Sequence, residues 1–172
     1  MGDDVVPRLE TERTILRGFR QRDLDAWAAM SEDDDAMRFI GGAATRADAW
    51  RSMAAHTGHW VLKGFGTWAV ERRDDGRLLG RVGLWEPEGW PGIEVGWTLA
   101  RPVWGHGYAQ EAARAAMTWG WTELGLERLI SLIDPENLRS IRVAQRLGMQ
   151  RDGQVLVRGE PCDVWAIGAP GG

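Results

Sequence analysis

A chain of 172 residues suffices for one domain, whose folding buries roughly 70 % of the unfolded surface without metal or disulfide support. Its apolar share of 44 % and charged share of 27 % are those of a globular protein, and its single cysteine, Cys162, excludes an intrachain disulfide framework. The net charge of −4 argues against a general nucleic-acid binder, which needs a basic face to release counterions.

The start, "MGDDVVPRLETER", is acidic and lacks the apolar stretch of a secretory signal. Val6 stands where a myristoylation pattern needs Ser or Thr. No apolar run approaches the ~20 residues of a membrane span, so the expected location is cytoplasmic. Residues 8–20 read as a strand entering a turn, with Thr14, Leu16 and Gly18 alternating against Ile15, Arg17 and Phe19. "RDLDAWAAM" (22–30) reads as a short helix and "FIGGAAT" (39–45) as a loop. Thr45 can cap the next helix, with Asp48 at the third position. That helix is expected to send Trp50, Met53 and Ala54 to the core and to end near Gly64.

Period two then takes over. "TWAVERR" (67–73), "RLLGRVGLW" (77–85) and "IEVGWTLA" (93–100) read as strands, the first pair joined by the hairpin signal "DDG" (74–76) and the second by "EPEGWPG" (86–92). Residues 108–124 read as a helix and "RLISLID" (128–134) as a buried strand. "NLRSIRVAQRLG" (137–148) reads as a helix with Asn137 as N-cap and Gly148 as stop. "QVLVRG" and "CDVWAIG" close the fold, and the tail 168–172 is expected to be unstructured. The order predicts an α/β (α+β) fold in one domain over 1–172. It has a mixed, mostly antiparallel sheet of about seven strands, about four helices and one parallel strand–helix–strand crossover, 93–134.

Gly105 and Gly107 precede the long helix at 108. A helix start exposes unpaired N–H groups and the positive end of the dipole, which suits an anion. A tight turn beneath a close-packed, alanine-rich helix explains the same glycines. The run is neither a dinucleotide fingerprint, since Gln110 stands where Gly is needed, nor a phosphate loop ending in Gly-Lys-Ser/Thr.

"GWTLARPVWGHGYAQEA", followed by "DPENLRSIRVAQRLGMQ", resembles the GCN5-related N-acetyltransferases, most closely the branch of the ribosomal-protein N-terminal acetyltransferases. The likeness runs over nearly the whole chain. It implies that the crossover strands splay apart and that acetyl-CoA is the co-substrate. Its pyrophosphate would rest on the backbone of Trp104, Gly105, His106, Gly107, Tyr108 and Ala109. Trp104 departs from the family's Gln or Arg at that position. The pantetheine arm would run beside Leu99, Ala100 and Arg101, with Asn137 touching it or a bound water.

Acetyl transfer needs a base for the acceptor ammonium and a donor for the departing sulfur. The resemblance points to Glu94 as base, with Glu86 and Glu88 behind it; an exposed strand glutamate is the bland reading. The tyrosine that many family members use as acid has no counterpart, because the one tyrosine, Tyr108, lies in the glycine loop. Ser140, three residues after Asn137, is the replacement; both also make ordinary helix caps. Trp85 and Trp97 are expected at the acceptor cleft. Arg139, Arg142 and Arg146 read as a solvated face or, second, as a contact to the adenosine phosphates, and His56 and His59 lack partners at metal-ligand spacing, so no metal is expected. The expected acceptor is a peptide N-terminus, the alternatives being a small amine such as a polyamine or antibiotic, or a coenzyme A sensor without turnover. The expected assembly is a monomer or homodimer.

Overall fold

The computed structural model describes residues 5–171; expectations for the first four residues and for Gly172 lie outside them. Eight strands form one sheet in the order β1-β2-β3-β4-β5-β6-β8-β7. They are β1 (Leu9–Glu10), β2 (Thr14–Arg17), β3 (Thr67–Arg72), β4 (Leu78–Trp85), β5 (Glu94–Leu99), β6 (Arg128–Ile133), β7 (Gln150–Val157) and β8 (Glu160–Gly168). All neighbours are antiparallel except β5 and β6, the parallel pair of the crossover. The helices are α1 (Leu24–Ser31), α2 (Asp34–Met37), α3 (Arg46–Lys63), α4 (Tyr108–Glu123) and α5 (Leu138–Arg146). The mixed sheet and crossover are as expected. The strand and helix counts exceed expectation because residues 8–20 fold back as β1 and β2, and because Asp33 caps the one-turn α2 by accepting from the Asp35 and Ala36 amides.

Alternation along β4 sorts the layers. Val82 and Leu84 face α4, whose Ala112, Ala113 and Ala116 are fully buried, so small residues let this helix lie close to the sheet. Trp85 points the other way, against His56 and His59 of α3. Trp60, Trp68 and Trp119 close the core edge to face at centroid separations of 4.7–5.5 Å. The buried stripe of α3 is Ala49, Met53, His56 and Trp60, and this corrects the expectation for that helix: Trp50 is 49 % exposed and Ala54 is exposed too. The helix is phased by α1, whose Leu24, Trp27, Ala28 and Met30 share one buried cluster with Ala49 and Met53.

Arg17, 3 % exposed, ties three elements together. It donates to both carboxylate oxygens of Asp23 at 2.7 and 2.9 Å and to Glu71 on β3 at 2.7 Å. Such a bidentate pairing offsets the desolvation of a buried guanidinium.

Candidate active site

The parallel ladder between β5 and β6 lasts one register pair, Glu94 opposite Ile130. Beyond it the strands splay, and side chains take over the hydrogen bonds. The Leu132 amide donates to the Glu94 carboxylate at 3.4 Å, and the Ser131 hydroxyl donates to the Val95 carbonyl at 2.6 Å. The Ala100 amide bonds to Leu79 on β4, so by alternation the backbone groups of Val95, Trp97 and Leu99 face the gap. The Leu99 carbonyl accepts from the Trp104 indole at 2.8 Å. Between the two satisfied carbonyls lies Trp97, whose backbone has no ladder on this side. Polar backbone groups in such a position call for a partner.

A cavity of about 540 Å³ opens from this gap. Its walls include Trp97, Thr98 and Leu99 of β5, the loop residues Trp104, Gly105 and Gly107, and the first residues of α4. Gly105 and Gly107 have φ of 78° and 82°, the left-handed region that favours glycine. A Cβ on Gly105 would meet nothing within 4 Å, so conformation rather than crowding requires glycine there. Gly107 is the N-cap of α4 and supplies no side chain to its first amides, which leaves them open to an anion. The loop is held from behind by Arg13, which donates to the His106 carbonyl at 2.9 Å and to Glu111 at 2.7 Å. This holds the Glu111 carboxyl below its usual range: Thr11 and the Arg13 amide and side chain together outweigh the opposing effect of burial.

Arg139, Arg142 and Arg146 line the same cavity, which fits the second of their two readings, a face toward the cofactor, better than a solvated face. The Arg139 guanidinium lies 3.6 Å over the Trp104 ring, so α5 and the glycine loop are locked together and the arginine stripe turns toward the α4 amides.

A second cavity of about 400 Å³ adjoins the first. Trp97, Thr98, Asn137 and Ser140 belong to the walls of both. Asn137 caps α5 by accepting from the Ser140 amide at 3.2 Å, and the Trp97 indole donates to the Ser140 hydroxyl oxygen at 3.3 Å. That contact occupies a lone pair of Ser140 and leaves its O–H free to donate at the junction. The Thr98 hydroxyl, also there, is buried without a partner among the described residues.

Glu94, Trp85 and Trp90 line the second cavity. The Glu94 carboxylate accepts from the Trp90 indole at 2.8 Å as well as from Leu132. Burial nonetheless pushes its carboxyl above the usual range, opposed by these two bonds and by Arg81.

The structure thus gathers Leu99, Trp104, Gly105, Gly107, Tyr108, Ala109, Asn137, Ser140 and Trp97 around one cleft, with Glu94 and Trp85 beyond the junction. Ala100, Arg101 and His106 lie outside both sets of walls. Ala100 is bonded to β4, Arg101 turns back to Asp33 and Asp35, and the His106 ring folds onto the Trp104 carbonyl. Sequence reasoning missed Thr98, Ser131 and Arg81. The two hydroxyls looked like ordinary strand residues, and nothing local marks the splay that they face. His56 and His59 are buried among aromatic rings.

Residues 13–150 match the family model described as an acetyltransferase (GNAT) domain. The uncharacterized N-acetyltransferase YnaD of Bacillus subtilis is 32 % identical over 146 residues, 84 % of this chain and 84 % of that protein. The solved acetyltransferase of Agrobacterium tumefaciens superposes with a TM-score of 0.86 at 28 % identity, covering 95 % of each chain. The ribosomal-protein-S5-alanine acetyltransferase of Vibrio fischeri, at 16 % identity, shares the fold with a TM-score of 0.72 over 96 % of this chain and 98 % of its own.

Proposed function

The chain belongs to the GNAT acetyltransferase family, whose members move an acetyl group from acetyl-CoA to an amine, and on that premise we propose that it acetylates the α-amine of a peptide or amino acid by direct transfer. The observation that carries this reading is the junction at Trp97 and Ser140, where a cleft suited to coenzyme A meets a second cavity holding the half-buried carboxylate of Glu94.

The first cavity fits the chemistry of acetyl-CoA. The open amides at the start of α4, with Arg142 and Arg146 alongside, suit phosphates. The free backbone of Trp97 and the orphan hydroxyl of Thr98 suit an amide-bearing arm. From the second cavity, Glu94 takes a proton from the acceptor ammonium. The neutral nitrogen then attacks the thioester carbonyl carbon, a C–N bond forms and the C–S bond breaks. The sulfur leaves as thiolate, hydrogen-bonded by the Ser140 O–H, and takes up the second nitrogen proton. Ammonium and thioester thus give amide, thiol and one free proton. A raised carboxyl is better matched to this task at neutral pH than an ordinary one. An α-amine, with a pKa of about 8 against about 10.4 for lysine, asks less of it.

The test measures thiol release from acetyl-CoA with a free-N-terminal peptide, the same peptide blocked and carrying an internal lysine, spermidine and an aminoglycoside. Acetylation of the free N-terminus is expected. Transfer to spermidine or the aminoglycoside but not to the peptide would replace this reading with the small-amine one. Tight acetyl-CoA binding without transfer to any amine would leave a sensor.

A further inference from the structure

Arg81 is the anomaly of the second cavity. It sits mid-strand in β4, opposite Thr98 of β5, on the sheet face shared with Trp85 and Glu94. It is half-buried, yet it has no hydrogen-bond or ion-pair partner among the described residues. Arg17, in the same sheet, shows how this fold treats a buried guanidinium that belongs to the architecture: every face of it is paired. An unpaired buried charge is costly and is retained where something else completes it. The desolvation is strong enough to lower the Arg81 pKa to about 10, with only the distant charge of Glu94 opposing it.

The surroundings leave room for that missing partner. Gly83 and Gly96 are cross-strand neighbours between the Arg81–Thr98 and Trp85–Glu94 pairs. A Cβ on Gly96 would lie 3.8 Å from the Glu94 carboxylate, on the cavity side. Gly96 thus leaves the cavity wall between guanidinium and carboxylate without a side chain, whereas at Gly83 it is the close approach of β3 that excludes one. Glu94 does not fill it, because its oxygens are turned to Trp90 and Leu132. A second guanidinium approaches from the rim. Arg158, in the turn between β7 and β8, adopts φ of 53°, a left-handed conformation costly for a residue with a Cβ. Its side chain lines the same cavity and is likewise unpaired among the described residues.

We propose that the second cavity is an amphoteric acceptor site, in which Arg81 binds a carboxylate carried by the same molecule as the amine. Glu94 and Asp134, both in the walls of this cavity, take the ammonium end, and Arg158 in the same walls adds a second positive charge for the anion. A volume of about 400 Å³ suits an amino acid or the first residues of a peptide. A polyamine has no group for Arg81 and is repelled by it. This rests on the acetyltransferase reading above.

The experiment uses matched acceptors and a non-reacting probe. Phenylalanine is compared with phenethylamine, and the tripeptide amide Ala-Glu-Ala with Ala-Gln-Ala, by thiol release; the two pairs distinguish a free amino acid from an acidic peptide as source of the carboxylate. Phenylpropionate, which has no amine, is titrated by tryptophan fluorescence without acetyl-CoA. The carboxylate-bearing member of at least one pair is expected to have a kcat/KM higher by roughly ten- to a hundred-fold, the range of a charge-assisted hydrogen bond. Arg81→Gln should erase that preference and phenylpropionate binding while leaving acetyl-CoA affinity unchanged, and Arg81→Lys should keep part of both. Equal rates within both pairs, or a preference undiminished in Arg81→Gln, would overturn the proposal. If no amine is acetylated, the transfer reading fails by itself. Phenylpropionate binding lost in Arg81→Gln would still establish the anion site, and its absence in the wild type would refute it.

Discussion

Replacing Glu94 by glutamine probes the base without removing its bulk. The carboxylate makes two acceptor contacts, from Trp90 at 2.8 Å and from Leu132 at 3.4 Å. A glutamine amide can accept only one of them and turns a donor toward the other. One buried donor is left unmatched, at a cost of about 1–3 kcal/mol. For a chain of this size that is a fall in Tm of about 2–12 °C. The kinetic effect is separable. Loss of a positioned base is worth about 10²–10⁴ in rate, and acetyl-CoA affinity should hold, because Glu94 lines only the second cavity. The pH profile is decisive. Burial raises the Glu94 carboxyl, so wild-type kcat/KM should fall as pH drops through that raised value. In Glu94→Gln the acidic limb should vanish, leaving a low rate that rises only with deprotonation of the free amine. Stopped assays from pH 5 to 9, with calorimetry for the cofactor, read both effects. A variant that keeps the acidic limb, or loses affinity and rate in equal measure, refutes the assignment of Glu94 as base.

Ser140→Ala should lower kcat roughly ten-fold, about 1.4 kcal/mol, and unchanged turnover would remove its O–H from the mechanism. Gly107→Ala places a Cβ at φ of 82° and 3.4 Å from the Arg13 guanidinium; the strain of about 1–2 kcal/mol should lower Tm by about 2–8 °C and weaken acetyl-CoA, and a lowered Tm with unaltered affinity would place the phosphates elsewhere. Burial, with Arg81 and His59 adding to it, holds the His56 imidazole well below its usual value, so its neutral form contributes stability above the unfolded pKa of about 6.5 that is lost as pH falls through the folded one. Wild-type Tm should therefore drop between pH 7 and 5, and His56→Phe should flatten that slope; an equal slope in the variant would trace the pH dependence to other groups.

The strands were legible because Ile93, Val95, Trp97 and Leu99 alternate with Glu94, Gly96 and Thr98, and because glycine-containing turns separate β3, β4 and β5. The helix at 108–123 was legible from its glycine entry and small-residue face. What stayed hidden was set by packing at a distance. Trp50 looked like core by bulk, but α1 meets α3 at Ala49, and the spacing of Ala49, Met53, His56 and Trp60 was the better signal. Arg139, Arg142 and Arg146 form a polar helix face in any reading. Only the Arg139–Trp104 stacking shows that this face borders the glycine loop. Arg81 reads as an outward residue of a half-exposed strand, and its lack of a partner is a property of the assembled sheet. Leu99, Ala100 and Arg101 are the contacts expected for the cofactor arm; Trp104 takes the Leu99 carbonyl and β4 the Ala100 amide, and the Trp97 backbone, without a ladder on this side, is a further position that the sequence did not mark.

The splay itself connects stability to chemistry. In a continued parallel ladder the Leu132 amide would bond to the Val95 carbonyl. In this fold each has a side chain instead, Glu94 for the amide and Ser131 for the carbonyl. The strands can therefore part without abandoning these two buried polar groups, whose loss would cost about 1–3 kcal/mol each. One residue further the substitution stops, and the Trp97 backbone is left to whatever enters the gap. The carboxylate that props the strands apart is also the one raised by burial beside the second cavity. Its position follows from the splay: β5 begins at Glu94, where the ladder ends, so the carboxylate proposed as base sits where the two strands begin to part.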